Sequence, residues 1–353
     1  MKEILLNYLA EHPNRSEDYV LSKFIEHDIV LLGEMHYVKQ QLELYHRLIP
    51  KLGEKGIRVI AYEFARREDQ ALLDGLLGKS FFDESLAKTI MIKQESLFGY
   101  HEYMDVFKLV WQANQELSQE RKIRIIGLND SINWPLYNQI CNTTGRKPNP
   151  EEIREIWKGC NELHWKEVID AQYTAGHTKI LAIMGSHHAF THYREPDSKI
   201  IDGRKSFNGF PIVRFGNYLH EAYGNKVFNI CFHDPWESQI VVEGSIAPAK
   251  GIIEQSLYPR YHEIGFDLIG SPFGELPDDS IYALGYQDFR LKDIFNGMIY
   301  TGRLQDLKHV TPIKDFIDES NIDLFRNYNA YNGEAGLSIA QINALICEDI
   351  DLI

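Results

Sequence analysis

The sequence predicts an α/β protein: an open, mostly parallel sheet flanked by helices, with a helical C-terminal tail. Three observations predict it. Apolar runs of strand length alternate with stretches of helical periodicity. Four of those runs end in polar, ionisable residues, as strands do where an open α/β sheet builds a site at its carboxyl edge. Two of the four end alike, since Val30-Leu31-Leu32-Gly33-Glu34-Met35-His36 and Ile180-Leu181-Ala182-Ile183-Met184-Gly185-Ser186-His187-His188 each close on Gly-x-x-His.

The elements follow in order. Residues 2–10 read as a helix and residues 14–25 as a second, short one. Residues 29–32 form a buried strand. From Val38 to Leu52 the apolar positions Leu42, Tyr45, Leu48, Ile49 and Leu52 recur at helical spacing, and Gly53 or Gly56 closes the helix. Residues 58–63 are a second strand that is apolar except at its end, Glu63. A strand, helix, strand order of this length favours parallel pairing, which brings Glu63 to the edge that carries Glu34 and His36. Residues 67–77 and 102–119 are helical, and residues 123–130 are a third strand ending in Asp130. Pro148-Asn149-Pro150-Glu151-Glu152 opens a helix, because proline is tolerated in a first turn and acids favour that end. That helix and its neighbour run to about Gly176. Residues 179–184 and 227–232 are the fourth and fifth strands, residues 205–260 otherwise contain irregular loops, and residues 295–300 form a last strand. The tail has a helical piece over 339–347. The expected organisation is an N-terminal helical segment (1–27), an α/β domain (28–313) and a helical tail (314–353), with no clear linker, so that all three belong to one domain. The tail docks on the sheet, covers the pocket or mediates dimerisation; the sequence leaves these open.

Composition narrows the function. The chain has 353 residues, of which 44% are hydrophobic and 25% charged, as in a globular protein. A net charge of -14 argues against a nucleic-acid-binding surface, which needs clustered Lys and Arg. The longest apolar stretches fall far short of the roughly 20 residues that span a bilayer. Charge interrupts the N-terminus too early for a signal peptide, so no membrane and a cytoplasmic address are expected. The four cysteines, Cys141, Cys160, Cys231 and Cys347, form no Cys-x-x-Cys pair and read as reduced thiols. No zinc knuckle, phosphate-cradling glycine loop or Gly-x-Ser-x-Gly elbow is present.

The strand ends therefore carry the chemistry: Glu34 and His36, Glu63, Asp130, and His187 with His188. Such a set has three uses. Histidine and carboxylate form a general acid/base pair, they bind a divalent metal that acidifies a water, or the histidines ligate haem iron. Each residue also has a purely structural reading. Glu34 can cap the next helix; Glu63 can pair with Arg66 or Arg67; Asp130 can be a turn residue; His187 and His192 can be exposed or packed. His233-Asp234-Pro235 reads as a turn rather than a dyad. His101, His164, His177 and His220 have no partner that the sequence identifies. His188 and His192 have i, i+4 spacing, which on a helix gathers two rings on one face, but the glutamate of His-Glu-x-x-His is missing.

These motifs resemble a superfamily. Gly33-Glu34-Met35-His36, the glutamate after the next strand (Glu63) and the distal Gly185-Ser186-His187-His188 are similar to the pattern of erythromycin esterase-like proteins, Tiki/TraB proteases and ChaN-type haem-uptake proteins. The erythromycin esterase-like branch looks closest, because Tyr100-His101-Glu102-Tyr103, Trp111-Gln112-Ala113-Asn114, the strand at 123–130 and Gly216-Asn217-Tyr218-Leu219 resemble its segments. The similarity covers about residues 28–310. Two features depart from that branch: its first motif has one residue more between glutamate and histidine, and its second is His-Asn-x-His-like. The resemblance implies a hydrolase in which His36, held by Glu34 or Glu63, activates a water that attacks an ester, lactone or amide carbonyl of a small-molecule or peptide substrate. His188 then stabilises the oxyanion or protonates the leaving group, with His187, Asp130, Arg66 and His192 in support. It also implies a metal variant, a divalent ion on His36, Glu63 and His188. The alternatives are a ChaN-like haem-binding protein and a member that has lost catalysis and serves in interaction or regulation. The macrolide substrate does not carry over.

Overall fold

The computed structural model describes residues 1–12, 14–95, 98–176, 179–329 and 337–348; His177, for which the sequence identifies no partner, lies outside them. Along the chain the elements are α1 (Lys2–Glu11), α2 (Ser16–Lys23), β1 (Ile29–Glu34), α3 (Lys39–Leu52), β2 (Ile57–Arg66), α4 (Gln70–Leu77), α5 (Glu84–Gln94), α6 (His101–Glu116) and β3 (Arg124–Asn129). They continue with α7 (Trp134–Thr144), α8 (Pro150–Ile156), α9 (Glu162–Gly176), β4 (Lys179–Gly185), β5 (Asp197–Ile201), β6 (Arg204–Gly209), α10 (Phe215–Tyr223) and β7 (Val227–Phe232). The last are β8 (Trp236–Glu237), β9 (Ser245–Ile246), α11 (Ile252–Leu257), β10 (Ile264–Asp267), β11 (Gly297–Tyr300), α12 (Ile322–Tyr328) and α13 (Ile339–Glu348). Among the described residues no helix is long and apolar enough to cross a membrane.

The chain divides into two compact units, residues 1–44 with 179–308, and residues 45–178 with 309–353. In the first unit the strands are ordered β10-β11-β7-β1-β4. All neighbours pair in parallel except β10, which runs antiparallel to β11 at the edge. The run Ile29-Val30-Leu31-Leu32 is wholly buried, as expected of a central parallel strand covered on both faces. The register sets Glu34 beside Gly185 and Gly33 beside Cys231, so β1, β4 and β7 end together and deliver the residues that follow them to one edge.

Gly33 is not the end of β1, since the strand runs on through Glu34. Its role is close approach. A Cβ there would stand 2.8 Å from the Ser186 Cα and 3.1 Å from the Ala189 Cβ. A short 3₁₀ turn, Ser186–Ala189, thus lies directly on β1. From the other side Gly216, in α10, comes as close: a Cβ there would stand 2.4 Å from the Phe190 carbonyl oxygen. Asn217 Nδ2 donates to the carbonyls of Thr191 (2.7 Å) and Tyr193 (2.8 Å), and Asn229 Nδ2 donates to that of Ala189 (2.9 Å). The turn that carries the second histidine pair is therefore fixed by packing on both sides and by buried amides. His188 and His192 do not share a helix, because the backbone is extended at Phe190.

In the second unit β2 and β3 pair in parallel with an irregularity between Tyr62 and Arg66. Gly127 makes room for it, since a Cβ there would stand 2.4 Å from the Arg66 carbonyl oxygen. The expected start at Pro150 is real: Asn149 Oδ1 accepts from the amides of Glu151 and Glu152, and the Glu152 carboxylate accepts from the Asn149 amide (2.7 Å), a full capping box. The tail packs within this unit, where Tyr100 donates its hydroxyl to the Ile346 carbonyl (2.7 Å). The sequence reading missed α5, α7, α10, α12 and the β5–β6 hairpin. The hairpin turns on Asp202-Gly203, both at positive φ (49° and 75°), the residue pair suited to a two-residue turn of that hand.

Gly33→Ala is expected to lower stability by about 1–3 kcal/mol, because overpacking against backbone has no cheap relief. Gly75, on an exposed part of α4 with nothing near its Cβ direction, is the control: Gly75→Ala is expected to raise stability by ~0.5–1 kcal/mol. Thermal denaturation of the two variants checks the contrast, and equal effects would contradict this account of Gly33.

Candidate functional site

The Glu34 carboxylate is 1% exposed at the end of β1. A buried carboxylate is costly without a partner, and here its Oε1 accepts from His36 Nδ1 at 3.2 Å. The next residue, Met35, is held by Gln41 in the first turn of α3, whose side-chain Oε1 accepts from the Met35 amide (2.9 Å). The same Gln41 donates from Nε2 to Asp234 Oδ1. Asp234 follows β7 and is buried. Burial, reinforced by the charge of Glu34 and only partly offset by Gln41, pushes its carboxyl up to about 8. It therefore keeps its proton at neutral pH. Its neighbour His233 has a fully buried ring, which desolvation holds down at about 4.

The second motif is also anchored. His187 Nδ1 donates to Glu195 Oε1 (2.7 Å), and its Nε2 meets the Tyr282 hydroxyl (2.9 Å). Glu195 Oε2 accepts from Arg214 Nε (2.5 Å). Burial alone pushes the Glu195 carboxyl up, but the hydrogen bonds and charges of His187 and Arg214 outweigh it and hold the group down at about 2. Tyr282 is pushed above the usual phenol range by burial and by the nearby acids Glu195 and Asp234. Its ring is set by the edge of Trp236 (centroids 5.1 Å, 90°), and its carbonyl accepts from the Tyr193 hydroxyl (2.7 Å).

A cavity of about 420 Å³ is lined by Met35, Ser186, His187, Glu195, Asp234, Trp236 and Tyr282 among others. It is thus an aromatic-walled, acid-rich pocket with a histidine and three carboxyl groups, of which Glu195 and Asp234 are in different protonation states. Among the described residues, no group of three or more His, Cys, Asp or Glu side chains is arranged to hold a metal ion.

The other predicted residues lie as follows. Glu63 is buried near the end of β2 in the second unit. The two arginines pair with other acids: Arg66 pairs with Asp69 (2.6 Å), its guanidinium lying 4.7 Å from the Tyr328 ring centre, and Arg67 pairs with Asp130. Arg66 is thereby part of a buried structural cluster with Asp69 and Lys93. Asp130 is not a simple turn residue. It accepts from Arg67 Nε, from the Asn161 amide (2.8 Å) and from His164 Nδ1 (3.1 Å), which gives His164 the partner that the sequence did not reveal. His192 donates from Nε2 to the Lys292 carbonyl (3.1 Å). His188 is half-buried in the 3₁₀ turn. The sequence reading missed Glu195, Arg214, Tyr282 and Gln41, and took Asp234 for a turn. Only Asp234 carried a signal, since it follows a buried strand as Glu34 does.

Neither a family model nor a curated protein matches the sequence. Solved structures do. A protein from Bacillus cereus is 13% identical, with a TM-score of 0.54 over 89% of this chain and 100% of its own. A succinoglycan biosynthesis protein is 13% identical, with a TM-score of 0.51 over 83% of this chain and 91% of its own. A mutant of the erythromycin esterase EreC in its open conformation is 11% identical, with a TM-score of 0.47 over 82% and 94%.

The Glu195 carboxyl fixes one pH dependence. Its folded value near 2 lies below the ordinary 4.5, so the unfolded chain takes up the proton first as pH falls. The stability from this group is complete above pH 4.5 and is lost as pH drops toward 2. Glu195→Gln is expected to be less stable than the parent at pH 7 and to lose less on acidification; chemical denaturation at several pH values checks it, and parallel pH profiles would contradict it. At identities this low the structural likeness is one of fold: the chain has an open, mostly parallel α/β fold like that of the Bacillus cereus protein and the succinoglycan biosynthesis protein.

Proposed function

We propose that the chain is a hydrolase of carbonyl substrates, an ester, lactone or amide. One observation carries the reading. Two histidine–carboxylate pairs, His36 with Glu34 and His187 with Glu195, follow β1 and β4, which are neighbouring parallel strands in register at their ends. A carboxylate on one imidazole nitrogen fixes the tautomer and raises the basicity of the other.

The chemistry follows from the pairs. With Nδ1–H committed to Glu34, His36 Nε2 takes a proton from water, and the oxygen attacks the carbonyl carbon. The negative charge on the carbonyl oxygen then needs donors. The second motif supplies one. While His187 is neutral, the Tyr282 hydroxyl donates to its Nε2. That hydroxyl also borders the cavity, where it can turn its hydrogen from Nε2 to the oxyanion. We retain His188 as a second oxyanion donor, on its place in the turn that follows β4. The substrate is a small molecule or peptide whose acyl part suits an aromatic wall.

The test is hydrolysis of p-nitrophenyl acetate by the full chain. His36→Ala is expected to lower kcat/KM by about 10²–10⁴-fold, the usual cost of losing a general base, and Glu34→Gln to lower it as well, because Glu34 orients that ring. If both variants keep the parent's turnover, the mechanism is wrong.

A further inference from the structure

Asp234, an ionisable group of the cavity, has no part in the chemistry so far. Asp234 lines the same pocket as His187 and Tyr282, yet it is buried and follows β7, the neighbour of β1 on the side away from β4. Its hydrogen bond has a fixed direction. Gln41 Oε1 is taken up by the Met35 amide, so the Gln41 amide nitrogen faces Asp234 and can only donate. Gln41 donates to Oδ1, and the proton of the carboxyl group therefore belongs on Oδ2. The charged and titratable groups that act on Asp234 are Glu34 on β1, and Cys231 and Tyr282, each of which is raised by it in turn. No cation is among these, while Glu34 already carries the charge that its bond to His36 calls for. Two buried carboxyl groups this placed share the work unequally: one stays ionised on the histidine, and the other keeps a proton.

We propose that Asp234 is the proton donor to the leaving group in this cavity, with Gln41 as its positioning residue. This rests on the hydrolase reading above. The step balances. His36 takes one proton of the water, and the remaining hydroxide forms the new bond to the carbonyl carbon. The bond from that carbon to the leaving oxygen or nitrogen breaks, and the leaving atom takes the proton of Asp234 Oδ2. The acid product, the free alcohol or amine, protonated His36 and ionised Asp234 remain. Loss of one proton from His36 and uptake of one by Asp234, both through solvent, restore the site.

Asp234→Asn tests the proposal, because the amide oxygen still accepts from Gln41 but the side chain no longer carries an acidic proton. Ethyl acetate and p-nitrophenyl acetate are the probes. Ethoxide is a poor leaving group that needs a proton; p-nitrophenolate leaves without one. The variant is expected to lose at least about 10²-fold more in kcat/KM on ethyl acetate than on p-nitrophenyl acetate. It is also expected to lose the fall in rate that the parent shows as pH rises through about 8. Equal losses on the two esters, or none, would overturn the donor role, and a purely structural Asp234 would be rescued by asparagine on both. Infrared difference spectra give a readout that needs no turnover: a carboxylic acid C=O band at pH 6 that disappears above pH 8 and is missing in the variant. If that band persists in the variant, Asp234 is not the protonated group and the proposal fails. If the band behaves as expected but the parent cleaves neither ester, the hydrolase reading fails and takes the donor role with it.

Discussion

The first unit depends on one close approach, the seating of the 186–190 turn between β1 and α10. Two glycines allow it. At Gly33 and at Gly216 any side chain would meet backbone well inside van der Waals distance. Packed protein interiors do not yield by such amounts without strain. Buried amides then hold what the glycines permit: Asn229 takes the Ala189 carbonyl, and Asn217 takes those of Thr191 and Tyr193. His187 owes its position to this seating, and so does Glu195, which follows the same clamped segment. A rigid element beneath a reactive ring is what allows a hydrogen bond of 2.7 Å to survive in a half-open cavity.

Electrostatics then assigns a different state to each acid. Glu195 is outnumbered by Arg214 and His187, and stays ionised far into the acid range. Asp234 has an amide and a neighbouring negative charge but no cation, and keeps its proton. Glu34 is buried and bonded to His36. Acids whose surroundings push them apart in this way divide the roles of base-orienting group and proton donor among themselves. The pocket is more than acidic: one of its carboxyl groups is kept ionised while another is kept neutral.

Much of this could be read from the chain. The strands were legible because a central parallel strand must be apolar on both faces, as Ile29-Val30-Leu31-Leu32 and Leu181-Ala182-Ile183-Met184 are. Glu34 and His36 were legible for the complementary reason, that polar residues at such a strand's end stand at a sheet edge. What was lost is what comes from afar. Glu195, Arg214 and Tyr282 reach His187 from a loop, from just before a helix and from a 3₁₀ turn. No periodicity marks such residues, because their positions follow from tertiary packing alone. Asp130 was read as a rim acid or a turn; its place is fixed by His164 and Asn161, on and just before α9, which no local pattern ties to β3. Asp234 was lost differently. The strand-end argument applies to β7 as it does to β1, but the following proline made the tripeptide look like a turn.

The account rests on the two histidine motifs serving one substrate. A crystal structure of the full chain with a p-nitrophenyl phosphonate, whose tetrahedral phosphorus imitates the attacked carbonyl, tests that most directly. The account predicts the phosphonate in the cavity, with one oxygen within hydrogen-bond distance of the His36 imidazole and another at the Tyr282 hydroxyl. A phosphonate seated elsewhere, touching neither group, would contradict it.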